Sequence, residues 1–142
     1  MNRKSVIERV YTKSYYTGEA RKPENPSVAV IQASSDNNDI LTDYMNDALN
    51  EVEFYAHKRL VEISFKDDEI SVVSKRPKKE ELVSCLDRIL EDYLVEYISY
   101  RWFSENGINA DRSVVDMALD RLKDCICSLA PKVRRRATQM GI

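Results

Sequence analysis

DNNDILTDYMNDALNEVEFYAHKRL, Asp36 to Leu60, decides the fold class. Its apolar residues Leu41, Tyr44, Met45, Ala48, Leu49, Val52, Tyr55, Ala56 and Leu60 recur in steps of three and four. That spacing makes one continuous helical stripe, the side that enters a core. Ser35, Asp36 and Asn38 stand where side-chain oxygens can accept the free backbone N–H groups of a first turn, and Asp36 and Asp39 face the positive end of the helix dipole. The other face is acidic. Asp36, Asp39, Asp43, Asp47, Glu51 and Glu53 fall within it with no lysine or arginine between positions 36 and 53.

Beyond Leu60 the period changes to two, in "LVEISF" and "ISVVS" about an acidic "KDDE", which predicts a β-hairpin at about 61–74. A second long helix is expected after Pro77, through Leu82, Val83, Leu86, Ile89, Leu90, Tyr93, Leu94, Tyr97 and Ile98, and it stops at Asn106-Gly107. Apolar residues on more than one side make it the centre of the fold. A third helix, capped by Asp111 or Ser113, runs through Val114, Val115, Ala118, Leu119, Leu122 and Ile126 to Leu129, ahead of Pro131.

Residues 1–35 mix tyrosines and β-formers with Gly18, Pro23 and Pro26, so they read as an extended arm, with a short strand at Val6–Tyr11 or Ser27–Ile31. Such an arm either packs on its own domain or lies on a neighbouring subunit, with Tyr15 and Tyr16 as contacts. The expected fold is therefore mainly α: a small bundle of three principal helices over 36–131, a hairpin between the first and second, and extended N- and C-terminal arms. Residues 132–142 form a basic tail containing Arg134, Arg135 and Arg136.

The composition fits one such domain, since 142 residues at 43% hydrophobic and 32% charged are enough to bury roughly 70% of the unfolded chain's surface. Three cysteines, Cys85, Cys125 and Cys127, are odd in number and lack CxxC or Cys/His ligand spacing, which favours a reducing compartment over a disulfide framework. Neither a signal peptide nor an apolar run of about 20 residues is present, so a soluble intracellular protein with no membrane contact is expected.

Catalytic ingredients are sparse. His57 is the only histidine and has no i,i+4 ligand, because position 61 is Val61. A Cys85–His57 nucleophile pair has no local motif, and Asp67-Asp68, Glu80-Glu81 and Glu91-Asp92 read as solvated carboxylates. Three glycines leave no phosphate-cradling loop. No catalytic residue, cofactor or metal is expected. "KRPKK" (75–79) and "KVRRR" (132–136) are short basic clusters without a recognisable nucleic-acid-binding motif around them. In "DYLVEYISYRWF", Tyr93 and Tyr97 read as core, whereas Tyr100, Trp102 and Phe103 cannot all point inward from one helix face, so at least one is expected at a subunit contact.

The order of these elements resembles the head-tail connector (adaptor) proteins of tailed bacteriophages and prophages, over Asp36 to Pro131. The residues that carry it are the acidic helix start Asp39-Ile40-Leu41 with the stripe Ala48, Val52 and Tyr55, and the helix end "YRWFSEN" from Tyr100 to Asn106. The resemblance implies a non-enzymatic virion protein, made in the bacterial host cytoplasm and assembled as a ring, dodecameric in that family. The ring would sit at the neck between the portal protein and a tail or stopper protein, around a channel through which DNA passes without sequence-specific binding. A closed ring needs two different surfaces that fit one another. Asp43, Asp47, Asn50 and Glu51 would meet basic groups of a neighbour or line a channel, while Tyr15, Tyr16, Tyr100, Trp102, Phe103, Arg134, Arg135 and Arg136 complete the expected subunit or portal interface. Two other classes stay open: a small helical nucleic-acid-binding regulator using the basic clusters, and, last, a small enzyme.

Overall fold

A computed structural model of the chain describes residues 1–21, 32–59, 61–65, 68–74, 80–108 and 110–129. It is mainly helical with one small antiparallel sheet: α1 (Arg3–Arg21), a single 3-10 turn (Ser35–Asn37), α2 (Asn38–His57), β1 (Val61–Ser64), β2 (Ser71–Ser74), α3 (Glu80–Glu105) and α4 (Arg112–Leu129).

The first correction concerns residues 1–35. Residues 3–21 are not an extended arm and Val6–Tyr11 is not a strand; α1 occupies them. Val6, Ile7, Val10 and Ser14 are buried, at spacings of one, three and four that place them on a single helical face. Burial of that face outweighs the β-preference of its valines and tyrosines. Gly18 lies inside α1 without ending it, at a cost of about 1 kcal/mol relative to alanine. The strand expected at Ser27–Ile31, the helix start at Pro77 and the basic tail all lie outside the described residues.

Polar contacts from both sides fix α1 in place. Arg9 reaches Glu91 at 3.2 Å and Asp92 at 3.0 Å, and Lys13 pairs with Glu96, so α1 runs parallel to α3. Arg3 Nη1 donates to Asn46 Oδ1 at 2.8 Å and the Tyr11 hydroxyl donates to Asn38, so α1 runs antiparallel to α2. The Ser14 hydroxyl donates to the Tyr11 carbonyl at 2.9 Å and accepts the Ala33 N–H at 3.1 Å, which anchors the approach to α2. Ahead of α1, the Ile70 N–H donates to the Met1 carbonyl at 2.7 Å and the Arg3 N–H to the Asp68 carbonyl at 2.9 Å, joining the chain start to the approach to β2.

Elsewhere the periodicities hold. Leu41, Tyr44, Met45, Ala48, Leu49, Val52 and Ala56 are the buried face of α2. Its start differs from the expected caps: the Ser34 N–H donates to Asn37 Oδ1 at 3.0 Å and the Asn37 N–H to the Ser34 carbonyl at 2.9 Å, closing the 3-10 turn before α2 begins. In the hairpin, Val61 pairs with Ser74 and Ile63 with Val72, and Val61 and Ile63 point into the core while Glu62 and Ser64 stay exposed.

α3 is the axis of the core. Leu86, Leu90, Tyr93, Leu94, Val95, Ile98, Trp102 and Phe103 are all buried and spread around most of its circumference, because α1, α2 and α4 each pack against it. Its end is a Schellman motif. Gly107 adopts φ +77°, the Ile108 N–H returns to the Phe103 carbonyl at 2.9 Å, and the Gly107 N–H returns to Ser104 at 3.2 Å. Asp111 then caps α4, its Oδ1 accepting the Ser113 N–H at 2.9 Å.

Candidate functional site

The outward side of α2 carries most of the charge that sequence reasoning singled out. Asp36, Asp39, Asp43, Asp47 and Glu51 are all exposed. Successive members of the row Asp39, Asp43, Asp47, Glu51 stand four residues apart, so neighbouring carboxylates lie about 6 Å apart along the axis. One counter-ion is supplied from within the chain: Arg101 Nη1 lies 2.8 Å from Asp47 Oδ2. Its guanidinium also rests 4.4 Å from the Tyr44 ring centre, and hydrogen bonds to Tyr97 and Asp47 hold its pKa above the usual guanidinium value. Asp36, Asp39, Asp43 and Glu51 have no ion pair among the described residues. Amid the first of these acids sits Ile40, 45% exposed.

The far end of the same helix has the opposite character. Phe54 is 68% exposed, with Lys58 Nζ held 4.4 Å from its ring centre. Tyr55 is approached by Arg59 at 5.4 Å and Lys123 at 5.3 Å, and its hydroxyl and Arg59 Nη1 each lie 3.3 Å from Cys127 Sγ. The contact with Cys127, then burial, raise the Tyr55 hydroxyl pKa. Between α2 and α4 these side chains border a groove of about 210 Å³, lined by Phe54, Tyr55, Lys58, Leu119 and Lys123 with Glu51 among them.

The remaining expected interface residues divide. Tyr15 and Tyr16 are exposed on α1 and meet edge to face at 5.5 Å. Tyr100 is half-buried, with the Arg112 guanidinium 5.8 Å from its ring centre. Trp102 and Phe103 are core residues, 7% and 4% exposed, which corrects their placement at a subunit contact. A helix packed by three others has several inward faces, so these consecutive residues, about 100° apart around α3, can both be buried. Arg134, Arg135, Arg136 and the "KRPKK" cluster lie outside the described residues.

Sequence reasoning missed a second groove, of about 1040 Å³, between α1 and α2. Arg3, Tyr11, Asn38, Thr42, Asn46 and Asn50 line it. The α2 members recur every four residues, but without α1 there was no opposite wall to pair them with. The acidic pair Glu91-Asp92, expected as a merely solvated pair, proves to be the anchor for Arg9.

Among the residues considered for chemistry, His57 and Cys85 are exposed and Cys125 is half-buried, its thiol pKa raised by burial and by Cys85. Among the described residues no group of three or more His, Cys, Asp and Glu side chains could hold a metal ion, and no helix is long and apolar enough to cross a membrane.

One carboxylate carries a pH signature. Asp87 Oδ1 is buried without a hydrogen-bond partner among the described residues, and burial raises its pKa, opposed by the Met1 ammonium and assisted by Glu91. The folded chain therefore holds this proton at pH values where the unfolded chain has lost it. Asp87 contributes stability below the ordinary carboxylate range, and that contribution is lost as pH rises through the raised pKa. Asp87→Asn should stabilise the fold more at pH 7 than at pH 4, because only at the higher pH does it replace an ionised, partly buried carboxylate. Urea unfolding midpoints of both proteins at the two pH values check it.

Compared with known proteins, the chain matches no family model, no curated protein and no solved structure.

Proposed function

We propose that the chain is a structural assembly subunit of the head-tail connector type, one copy of a ring between portal and tail around the path of DNA. The observation that carries this reading is the acidic row on α2. Like charges four residues apart on a helix each destabilise it by about 0.2–0.5 kcal/mol, and Arg101 answers only one member of the row. A neighbouring subunit presenting positive charge relieves the others. Asp43, Asp47 and Glu51 then serve a subunit contact, with Tyr15, Tyr16 and Tyr100 as aromatic contacts on other faces and Arg134 to Arg136 toward the portal. The sequence resemblance over Asp36 to Pro131 supports the same reading.

Light scattering of the purified chain at low and high salt, alone and with a portal protein, tests it. A ring, or a monomer that becomes ring-like on the portal, is expected. Asp43→Lys should separate two readouts. It replaces repulsion toward Asp39 and Asp47 by attraction, so the monomer gains a few tenths of a kcal/mol, while assembly weakens at least about tenfold, or 1.4 kcal/mol. Assembly unchanged by Asp43→Lys counts against the acidic row as the contact. A chain that stays monomeric, ignores the portal and is retained on DNA at low salt belongs instead to the nucleic-acid-binding class.

A further inference from the structure

We infer that copies of this chain meet head to tail through α2: Ile40 and its surrounding carboxylates on one copy seat in the α2–α4 groove of the next, against Phe54 and Leu119 and between Lys58 and Lys123. The inference rests on the assembly reading above and shifts its acidic contact to the start of α2, where Asp36, Asp39 and Asp43 surround Ile40, with Glu51 in the groove wall instead.

Three observations carry it. First, the charges at the two ends of α2 are opposite and incompletely neutralised. Asp36, Asp39 and Asp43 around Ile40 have no ion pair among the described residues, and Lys58 and Lys123 are held over the rings of Phe54 and Tyr55 rather than against carboxylates. Of the charged residues lining the groove, Lys58 and Lys123 face a single acid, Glu51, and beside it Arg59 and Asp124 offset one another at Tyr55.

Second, the apolar parts match in size. An exposed isoleucine stands at the centre of the acidic patch, and the groove of about 210 Å³ exceeds the roughly 150 Å³ cavity that accommodates benzene. It has room for one branched aliphatic side chain, and Phe54, 68% exposed, supplies an aromatic wall still open to solvent.

Third, one chain cannot bring its own two surfaces together. Ile40 and Phe54 are fourteen residues apart on one continuous helix, a separation of about 21 Å that the helix holds rigid. The acidic patch can therefore reach a groove only on another copy. Because the two surfaces differ, the contact is heterologous, and repetition of it propagates from copy to copy until it closes.

Complementation between two full-length variants tests the inference by sedimentation velocity from micromolar to millimolar concentration. Ile40→Asp disables the inserting surface and leaves the groove intact. Lys58→Glu with Lys123→Glu disables the groove and leaves the inserting surface intact. Unchanged melting temperatures of both variants establish that they fold. Wild type is expected to form species larger than dimers and each variant alone to associate at least tenfold more weakly. An equimolar mixture should give a heterodimer and nothing larger, since only one intact pair of surfaces remains. Assembly of wild type with a mixture that stays monomeric, or a variant that assembles like wild type, overturns this interface while the assembly reading stands. A wild type that is monomeric throughout and a mixture without heterodimer overturn this interface, and the assembly reading falls with it when the chain also stays monomeric in the presence of a portal protein.

Discussion

Deletion of residues 1–21 is expected to abolish the cooperative thermal unfolding of the chain. Val6 and Val10 are fully buried and Ile7 is 8% exposed. At about 1.5–3 kcal/mol for each buried aliphatic side chain, the three contribute about 4.5–9 kcal/mol. That is comparable with the whole net stability of about 5–15 kcal/mol expected of such a domain. The deletion also strands the partners of α1. Glu91, Asp92 and Glu96 would lose Arg9 and Lys13, the Ala33 N–H would lose the Ser14 hydroxyl, and the Ile70 N–H would lose the Met1 carbonyl. Circular dichroism melts of the full chain and of residues 22–142 measure the effect directly. An extended arm that only reached a neighbour would leave the melt of the shorter chain unchanged. Val10→Asp, which places a carboxylate where the valine is fully buried, should reproduce much of the loss in the full-length protein.

The contrast between α1 and the other helices shows where the sequence is legible. In α2 the apolar positions from Leu41 to Ala56 form an unbroken stripe, so the helix announces itself. The hairpin does so through alternation, with Val61 and Ile63 inward and Glu62 outward. α1 lacks such a stripe: a serine, Ser14, occupies a buried position of its inner face, while Tyr15 and Tyr16 are exposed. Its position is set by contacts with residues 83 positions away in α3, and no local pattern contains that information. The site divides in the same way. The acidic row is a property of local sequence and was readable from it. Its partial neutralisation by Arg101, 54 positions from Asp47, and the groove joining Phe54 to Leu119 depend on how helices distant in sequence are apposed.

Trp102 turns that division into a measurement. It is the only tryptophan of the chain, so its emission reports one location. From its helix face alone it was a candidate for a subunit contact; in the fold it is 7% exposed, in the core around α3, and its carbonyl accepts a 2.7 Å hydrogen bond from Asn106 Nδ2 near the helix end. Truncation to alanine should therefore destabilise the isolated chain by about 3–5 kcal/mol, the range for a buried aromatic, as read by denaturant unfolding below the concentration of assembly. The native protein should show blue-shifted emission already as a monomer, with no further shift as concentration or a portal protein drives assembly. An interfacial tryptophan would behave oppositely: red-shifted in the monomer, moving to the blue as subunits associate, with Trp102→Ala costing assembly rather than folding. If emission stays constant while light scattering records growth of the particle, subunits associate through surfaces already exposed in the monomer, among them the outer face of α2, the α2–α4 groove and the tyrosines of α1.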